Sequence, residues 1–412
     1  MQEATQRISL PHYIGTGDMT TKTLFNFSFI EKAAAFALGS LALLMTGLQP
    51  ALLGELTAQH QITMEGVGLV AMGEIFALGF GVILSDKFLS LNHLRWIAGI
   101  TMVLLVIINV LMVKMTGDTA FILLRVFAGL IEGVMFWLTT SVIIRTSNPD
   151  QMAGLLLMVL TLVQALVAFV LARYIMPTGG WQSGFMVMAF LSLLSLLLLP
   201  LLPARLATLV DDATAPVAPG ITLYILAVPF AFSSAIGALW AYMDPLGRMA
   251  GFDAISVQTL IAWTLIMQII GSAVAVCLVK RLPMLITMAL GSIIVGGVAL
   301  LMHILPSGHV SLFASSCLLF GFVWQFILPF QIRLAIAAEP TGRVAMLVPA
   351  TQLLGFAFGP LIASFSVTGD DAVHVPLVCM GFVLFALLAL FIVRMRNSGA
   401  GTSGGVPTIS AT

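Results

Sequence analysis

The sequence predicts an all-α membrane protein with twelve transmembrane helices in two pseudo-symmetric six-helix bundles. Only 8% of its 412 residues are charged and 60% are hydrophobic, whereas about a quarter of the residues in a soluble domain are charged. The chain also contains twelve apolar runs long enough to cross a bilayer. Threading these runs places thirteen of the seventeen Lys and Arg residues on one side, which is the bias that orients membrane proteins.

Each span needs about 20 apolar residues at the rise of an α-helix. Turn-forming residues, such as Asn148-Pro149 and Gly179-Gly180, separate one run from the next. An eleven-span threading would scatter the basic residues over both faces, so we favour twelve spans. The predicted spans lie at about 30–54, 64–85, 95–114, 119–143, 153–176, 182–203, 221–243, 255–280, 283–304, 310–335, 344–367 and 374–394.

The longest interior polar stretch falls at the midpoint of the chain and predicts a linker between two halves. Basic residues place this linker and both termini in the cytoplasm, which suggests the inner membrane of a bacterium. We expect the bundle to work as a monomer in the lipid bilayer. The predicted segments are a cytoplasmic N-terminal segment (1–27), an N-terminal bundle (28–203), a linker (204–220), a C-terminal bundle (221–396) and a disordered tail (397–412).

Composition also argues against several functional classes. The net charge is zero, so nothing suggests a nucleic-acid partner. The six histidines lie in loops or at span ends, and the three cysteines lie in apolar runs. This distribution predicts no metal, no cofactor and no catalytic constellation, and we therefore expect that the protein is not an enzyme.

Three charged residues lie inside predicted spans of the first half. Glu74 is near the middle of the second span, and Arg125 and Glu132 are seven residues apart on one face of the fourth. A charge at the centre of a span costs about 2.5–3.5 kcal/mol, so these residues need a partner or a purpose. We interpret them as a proton-coupling or solute-charge site. A static ion pair, or Arg125 bonded to backbone carbonyls, is the alternative.

The second half carries amides and aromatic rings instead of deep acidic residues. Such groups suit an organic solute with an apolar body. We interpret Trp240 and Tyr242 differently, as part of the aromatic belt at the membrane interface. Including one amide of the fifth span, the predicted lining of the solute cavity is Gln164, Trp263, Gln268, Trp324, Gln325 and Gln352.

These features resemble the major facilitator superfamily. Ser85-Asp86-Lys87, placed in the loop after the second span, is similar to the signature of that family, although Leu89 stands where a Gly is usual. Arg125-Val-Phe-Ala-Gly129 is similar to an Arg-x-x-x-Gly pattern of the fourth helix that is linked with proton coupling. The resemblance implies a loop gate at Asp86 and Lys87.

The resemblance and the residues together predict a secondary active transporter that moves a small organic solute by alternating access, with carboxylated or aromatic compounds as candidates. Protons would couple through Glu74 or Glu132. The fifth span lacks the Gly-x-x-x-Gly-Pro element of drug–proton antiporters, so uptake by symport is preferred. Proton-driven efflux of hydrophobic or amphipathic compounds remains the alternative.

Overall fold

The computed structural model describes residues 27–206, 219–305, 307–339 and 343–400. Nearly all of them are helical. Most of the predicted linker, the tail after 400 and the first 26 residues lie outside the described residues. The helices of the first half are α1 (Phe29–Ala42), α2 (Leu44–Ala58), α3 (Met64–Phe88), α4 (Leu94–Met112), α5 (Asp118–Ile143), α6 (Pro149–Val170) and α7 (Met176–Ser195).

The second half repeats this plan. Its helices are α8 (Pro219–Ala241), α9 (Met243–Met249), α10 (Ala254–Leu278), α11 (Met284–Ile304), α12 (Val310–Ala338), α13 (Arg343–Ser364) and α14 (Val375–Ala400). The short α9 follows the seventh span, and the first span is divided into α1 and α2 at Leu43.

Twelve spans emerge once one long helical stretch is divided. Eleven described helices are long and apolar enough to cross a membrane, and one of them, Gln151–Leu201, has 51 residues. At 1.5 Å per residue such a stretch would be about 75 Å long, more than twice the hydrocarbon thickness. Gly180 breaks it with a φ of 60°, a conformation that glycine adopts readily. The stretch therefore contains two spans, and the twelve-span prediction is consistent with the structure.

Equivalent helices pack together in each half. In the first half α3 packs on α5 and α4 on α7; in the second, α10 packs on α12 and α11 on α14. The halves meet mainly through two pairs, α3 with α13 and α6 with α10, and also through contacts of α2 with α8, α9 and α10. Large apolar side chains cover much of the outer surface, as expected of a surface that faces lipid.

We name the two ends of the bundle by residues that mark them. The Glu55 end carries the C-terminus of α2 and the N-terminus of α3, and the Asp86 end carries the C-terminus of α3 and the N-terminus of α4. On the orientation predicted from the basic residues, the Asp86 end faces the cytoplasm.

Candidate functional site

The three charged residues predicted from the first half meet in one buried cluster, which we call the triad. The Arg125 Nε donates to Glu74 Oε2 at 3.0 Å, and its Nη2 donates to Glu132 Oε1 at 3.1 Å. Nη2 also forms an ion pair with the second oxygen of Glu74. All three side chains are at most 1% exposed. The guanidinium therefore bridges a carboxylate of α3 and a carboxylate of its own helix.

Two glycines bring α5 close enough to α3 for this cluster to form. A Cβ on Gly129 would clash with the backbone oxygen of Glu74, and one on Gly133 would clash with that of Leu78. Both glycines lie on the same stripe of α5 as Arg125. This stripe of small residues allows the close approach of the two helices.

The triad keeps polar atoms that lack hydrogen-bond partners among the described residues. These atoms are Nη1 of Arg125, Oε2 of Glu132 and Oε1 of Glu74, of which the last is ion-paired with Arg125 Nη2. The side-chain amide of Gln49 on α2 is also fully buried, with neither its oxygen nor its nitrogen hydrogen-bonded within that part of the chain. In native proteins the large majority of buried polar side-chain atoms have a hydrogen-bond partner in the protein or in ordered water. Gln49 was missed in the sequence, although it is an amide within an apolar run like the glutamines predicted to line the cavity.

Trp324 is the centre of a group of four aromatic rings in the second half. Trp324 stacks on Phe356 with the centroids 5.2 Å apart, and it meets Trp240 edge-on at 5.4 Å and Phe320 at 6.0 Å. Trp324 and Phe356 are half-buried, whereas Trp240 is fully buried. Both side chains of this stacked pair keep some exposed surface, and aromatic rings favour stacking with a further flat group.

The predicted belt position of Trp240 and Tyr242 is wrong. Both side chains are 0% exposed, whereas belt residues lie at the lipid–water boundary. Trp240 Nε1 donates to the backbone oxygen of Thr46 at 2.8 Å, across the boundary between the halves. The Tyr242 side chain packs against Gly68 of α3. These residues pack at the interface between the two bundles. Their sequence position near a span end suits an interface residue and a belt residue equally well, so the sequence could not distinguish the two.

Two amides of the second half are hydrogen-bonded to each other. Gln352 Nε2 on α13 donates to Gln331 Oε1 on α12 at 2.7 Å. The buried nitrogens of Gln331 and Gln268 have no hydrogen-bond partner in the described residues. Gln325 is half-buried next to Trp324 in the chain. The predicted amides therefore include donors that a solute could use.

Gln164 and Trp263 have surroundings different from those of the other predicted cavity residues. Gln164 is buried and donates to the backbone oxygen of Leu43 and to the hydroxyl of Thr46. The Gln164 amide thus provides a hydrogen-bond donor for the Leu43 carbonyl, where the first span is interrupted between α1 and α2. This contact stabilises the structure. The Trp263 side chain is 56% exposed and makes no ring contact among the described residues. Neither residue joins the group around Trp324.

The Asp86 and Lys87 pair lies in a different place from the one predicted. Both residues belong to the last turn of α3 and not to the following loop. Asp86 accepts a hydrogen bond from Trp137 Nε1 of α5 at 3.1 Å, and Lys87 lies over the ring of Phe88. The helix runs through Phe88 and ends at Leu89, whose backbone is extended. The proposed gating role of this pair therefore has to act through the end of a helix.

A second charged cluster, which the sequence analysis missed, joins the halves at the Glu55 end. We call it the latch. Arg248 Nη2 donates to Glu55 Oε2 at 2.8 Å, and its Nε donates to Asp244 Oδ2 at 2.6 Å. Gln258 Nε2 also donates to Glu55 at 3.3 Å. Each of these residues lies near a span end, where charges are ordinary, so no signal marked them in the sequence.

Asp244 is the fully buried charged residue of the latch, and in the chain it lies between the spans of α8 and α10. Burial raises the pKa of its carboxyl to about 7, although the neighbouring Arg248 opposes that rise. A Cβ on Gly54 would clash with this carboxyl, so the two halves are in contact here. The latch therefore contains a group that can titrate near neutral pH while the halves are together.

The comparisons with known proteins agree with this architecture. A family model described as Major Facilitator Superfamily matches residues 33–360. The chain belongs to this superfamily. The resemblance inferred from the sequence is thus confirmed, and with it the general class of the protein, a secondary membrane transporter. A comparison with curated protein sequences found no significant match.

Solved structures of superfamily members share the fold at low sequence identity. A bacterial homologue of the human lysosomal transporter Spinster, in an inward-facing and occupied conformation, is 13% identical with a TM-score of 0.65, covering 89% of this chain and 96% of its own. The nucleoside transporter NupG is 14% identical with a TM-score of 0.63, covering 89% and 99%. A D-xylose–proton symporter is 14% identical with a TM-score of 0.60, covering 93% and 98%.

Proposed function

We propose that this superfamily member is a proton-coupled transporter that takes up a small organic solute by alternating access. The observation that carries the proposal is the triad of Arg125, Glu74 and Glu132, buried between α3 and α5. Burying charge is costly, and one guanidinium can neutralise only one of the two carboxylates. The fully ionised triad has a net charge of −1, and the uptake of one proton makes it neutral.

The same cluster offers a place for the charge of a solute. Arg125 has five N–H donors, and its Nη1 is buried and without a hydrogen-bond partner among the described residues. A solute carboxylate that bound there would compete with Glu132 for the guanidinium, and the released Glu132 would then hold a proton more readily. Binding of an anionic solute and binding of a proton would therefore favour each other, which is the requirement for symport.

The second half supports a solute with a flat apolar portion. The half-buried side chains of Trp324 and Phe356, which stack on each other, are the proposed stacking surface. The unpaired amide nitrogens of Gln268 and Gln331 provide neutral donors within the described part of the chain. We therefore propose a carboxylated or aromatic compound as the solute. Two of the structural neighbours, a nucleoside transporter and a sugar–proton symporter, are named for organic solutes as well.

Contacts between the halves support alternating access. Side-chain hydrogen bonds join the bundles from Arg248 and Gln258 to Glu55 and from Trp240 to Thr46. All of these bonds lie in the half of the bundle toward the Glu55 end. We propose that this end is the periplasmic one, that it is closed in this conformation, and that the latch must open before a solute enters. Cytoplasmic termini, an inner-membrane location and monomeric function belong to the same proposal.

One observation favours efflux of hydrophobic compounds as a second candidate. A cavity of about 280 Å³ lies between the halves and is lined by apolar residues of α3, α8 and α13, including Phe76, Phe230 and Phe358. More than half of the Phe76 side chain is exposed on this surface. A hydrophobic compound could enter such a cavity directly from the membrane. The similarity to a D-xylose–proton symporter favours uptake, and we keep uptake as the first candidate.

Transport in proteoliposomes tests the proposal after a solute has been found. A thermal-shift screen with organic acids, nucleosides, sugars and hydrophobic drugs identifies the solute, since a ligand that binds the folded state stabilises it. We expect an inward proton gradient to drive accumulation by the unmodified protein. We expect Glu132→Gln to lose this accumulation but to retain exchange of labelled for unlabelled solute, because exchange needs no net proton movement. Exclusion of the solute under the same gradient would support efflux. Accumulation by Glu132→Gln equal to that of the unmodified protein would refute the role of the triad.

A further inference from the structure

A groove on the outer face of the first bundle lies away from the triad and the latch. Its volume is about 510 Å³, in the range of small-molecule sites. It runs between α4 and the 3₁₀ turn (Leu196–Leu201) that follows α7. It is lined by Arg95, Trp96, Gly99, Ile100, Val103, Leu104, Leu196 and Leu199.

The body of the groove is apolar and is opened by a missing side chain. Gly99 forms part of the lining, and a Cβ there would come within 3.2 Å of a Leu199 methyl group. Beyond Gly99 the groove is flanked by Ile100, Val103 and Leu104, which are 41–57% exposed. These side chains lie on a membrane span. The surroundings of the groove are therefore hydrocarbon, and an extended apolar chain is the group that fits it.

The end of the groove nearest the Asp86 end is basic. Arg95 Nε donates to the backbone oxygen of Leu202 at 2.8 Å, which holds the guanidinium at the mouth while leaving its terminal amino groups as donors. The backbone N–H of Leu206 donates to the oxygen of Leu91, so the exposed Arg205 lies beside the start of α4. The exposed His93 lies there as well.

An exposed tryptophan places this mouth at the membrane interface. The Trp96 side chain is 75% exposed next to Arg95, and exposed tryptophans of membrane proteins concentrate at the level of the lipid headgroups. A basic mouth at headgroup depth above an apolar groove matches a molecule with a negative head and a hydrocarbon tail. A free anion would need only the mouth, and a neutral lipid would need only the groove.

We propose that this groove is a binding site for an anionic phospholipid. The phosphate would be bound by Arg95 and Arg205, and one acyl chain would lie along the groove over Gly99. Such a lipid would tie α4 to the end of α7, two helices that already pack together. The site depends on none of the residues assigned to transport.

Lipid-dependent melting of the purified full chain in detergent tests the proposal. The probes are phosphatidylglycerol and phosphatidylcholine with identical acyl chains, together with glycerol 3-phosphate as a headgroup without a tail. We expect phosphatidylglycerol to stabilise the protein more than phosphatidylcholine, and glycerol 3-phosphate to have no effect. Equal stabilisation by the two lipids would overturn the proposal, as would full stabilisation by glycerol 3-phosphate, which would indicate a simple phosphate site.

Variants separate this groove from general surface charge. Arg95→Gln should lower the affinity for phosphatidylglycerol about fivefold, which corresponds to one basic residue near a membrane surface, and should leave the response to phosphatidylcholine unchanged. Gly99→Leu fills the groove and should weaken the response to phosphatidylglycerol, even though Arg95 is intact. Arg281→Gln is the matched control, because Arg281 is an exposed basic residue at the same end of the other half.

Native mass spectrometry of the same variants supplies a second readout, because it counts retained lipids whatever the melting temperature of the variant. We expect fewer retained phosphatidylglycerol molecules on Arg95→Gln and Gly99→Leu than on Arg281→Gln. Equal counts on all three variants would overturn the assignment to this groove.

Discussion

Replacement of Arg125 by Met should make the stability of the protein depend more steeply on pH. In the unmodified triad, one proton makes the cluster of two carboxylates and one guanidinium neutral. Without the guanidinium, Glu74 and Glu132 are both buried without their shared cation, and two protons are needed. The folded variant therefore binds one proton more than the folded unmodified protein.

The magnitude follows from proton linkage. Each additional proton bound on folding lowers the free energy of unfolding by about 1.4 kcal/mol for every pH unit of increase. The sign is that of a group protonated in the folded state: stability falls as pH rises above the ordinary carboxyl range, which lies at about pH 4. At neutral pH the loss should be of the order of 3–5 kcal/mol, as found when one partner of a buried ion pair is removed.

Chemical denaturation of the purified protein in mild detergent, measured from about pH 5 to about pH 8, checks this expectation. The matched control is the triple variant in which Arg125→Met is combined with Glu74→Gln and Glu132→Gln, because it has no titrating group in the cluster. The triple variant should show the shallowest dependence on pH, the unmodified protein an intermediate one and Arg125→Met the steepest. Equal slopes for Arg125→Met and the unmodified protein would refute the idea that the guanidinium neutralises these carboxyls.

Three further predictions concern other parts of the molecule. Burial raises the pKa of Asp244 to about 7 in the closed latch, whereas a water-exposed Asp titrates at about 3.9, so closure at the Glu55 end should be favoured as pH falls from about 7 to about 4. Distances between spin labels at Lys114 and Ser307 would report this closure, and Asp244→Asn should remove its dependence on pH. An unchanged dependence in Asp244→Asn would contradict the assignment. Trp324→Ala should weaken solute binding about tenfold, in line with about 1.5 kcal/mol for a stacked aromatic pair. Trp324→Phe should retain most of the affinity for the solute in the same thermal-shift titration. Equal losses of affinity in both variants would argue against stacking. Gly129→Leu should prevent α5 from approaching α3 and lower the melting temperature of the protein. The control is Gly297→Leu, which should lower the melting temperature far less because a Cβ at Gly297 has open space. Similar effects at both positions would contradict the close approach of α5 to α3.

The fold could be predicted because lipid imposes strong constraints on sequence. Apolar runs of span length and a bias of basic residues toward one side defined twelve helices, and the structure is consistent with that count. The one ambiguity, the continuous stretch around Gly180, is resolved by a positive φ that the sequence marks only as Gly179-Gly180. The end of α3 was placed too early because Asp86 and Lys87 are charged, although a basic residue such as Lys87 is stabilised in the last turn of a helix.

The candidate site could be predicted where a residue contradicted its surroundings. Glu74, Arg125 and Glu132 are charges within apolar runs, and they meet as expected. Trp240 and Tyr242 suit their positions near a span end equally well as belt residues or as interface residues, so only the packing of the second half against the first decides between these alternatives.

The latch could not be predicted for a related reason. Glu55 and Arg248 are 193 residues apart in the chain, and nothing in either local sequence indicates that the two halves join there. Contacts between domains depend on the relative position of the bundles, which spacing and hydropathy do not encode.

The proton that the triad is proposed to hold can be observed directly by infrared spectroscopy. We expect the unmodified protein at neutral pH to show the C=O stretch of one buried protonated carboxyl, which shifts with deuterium exchange. Both Glu132→Gln and Glu74→Gln should lack this band, since each leaves one carboxylate fully neutralised by Arg125. Absence of the band from the unmodified protein, or its persistence in both variants, would contradict the proposal that this cluster carries the coupling proton.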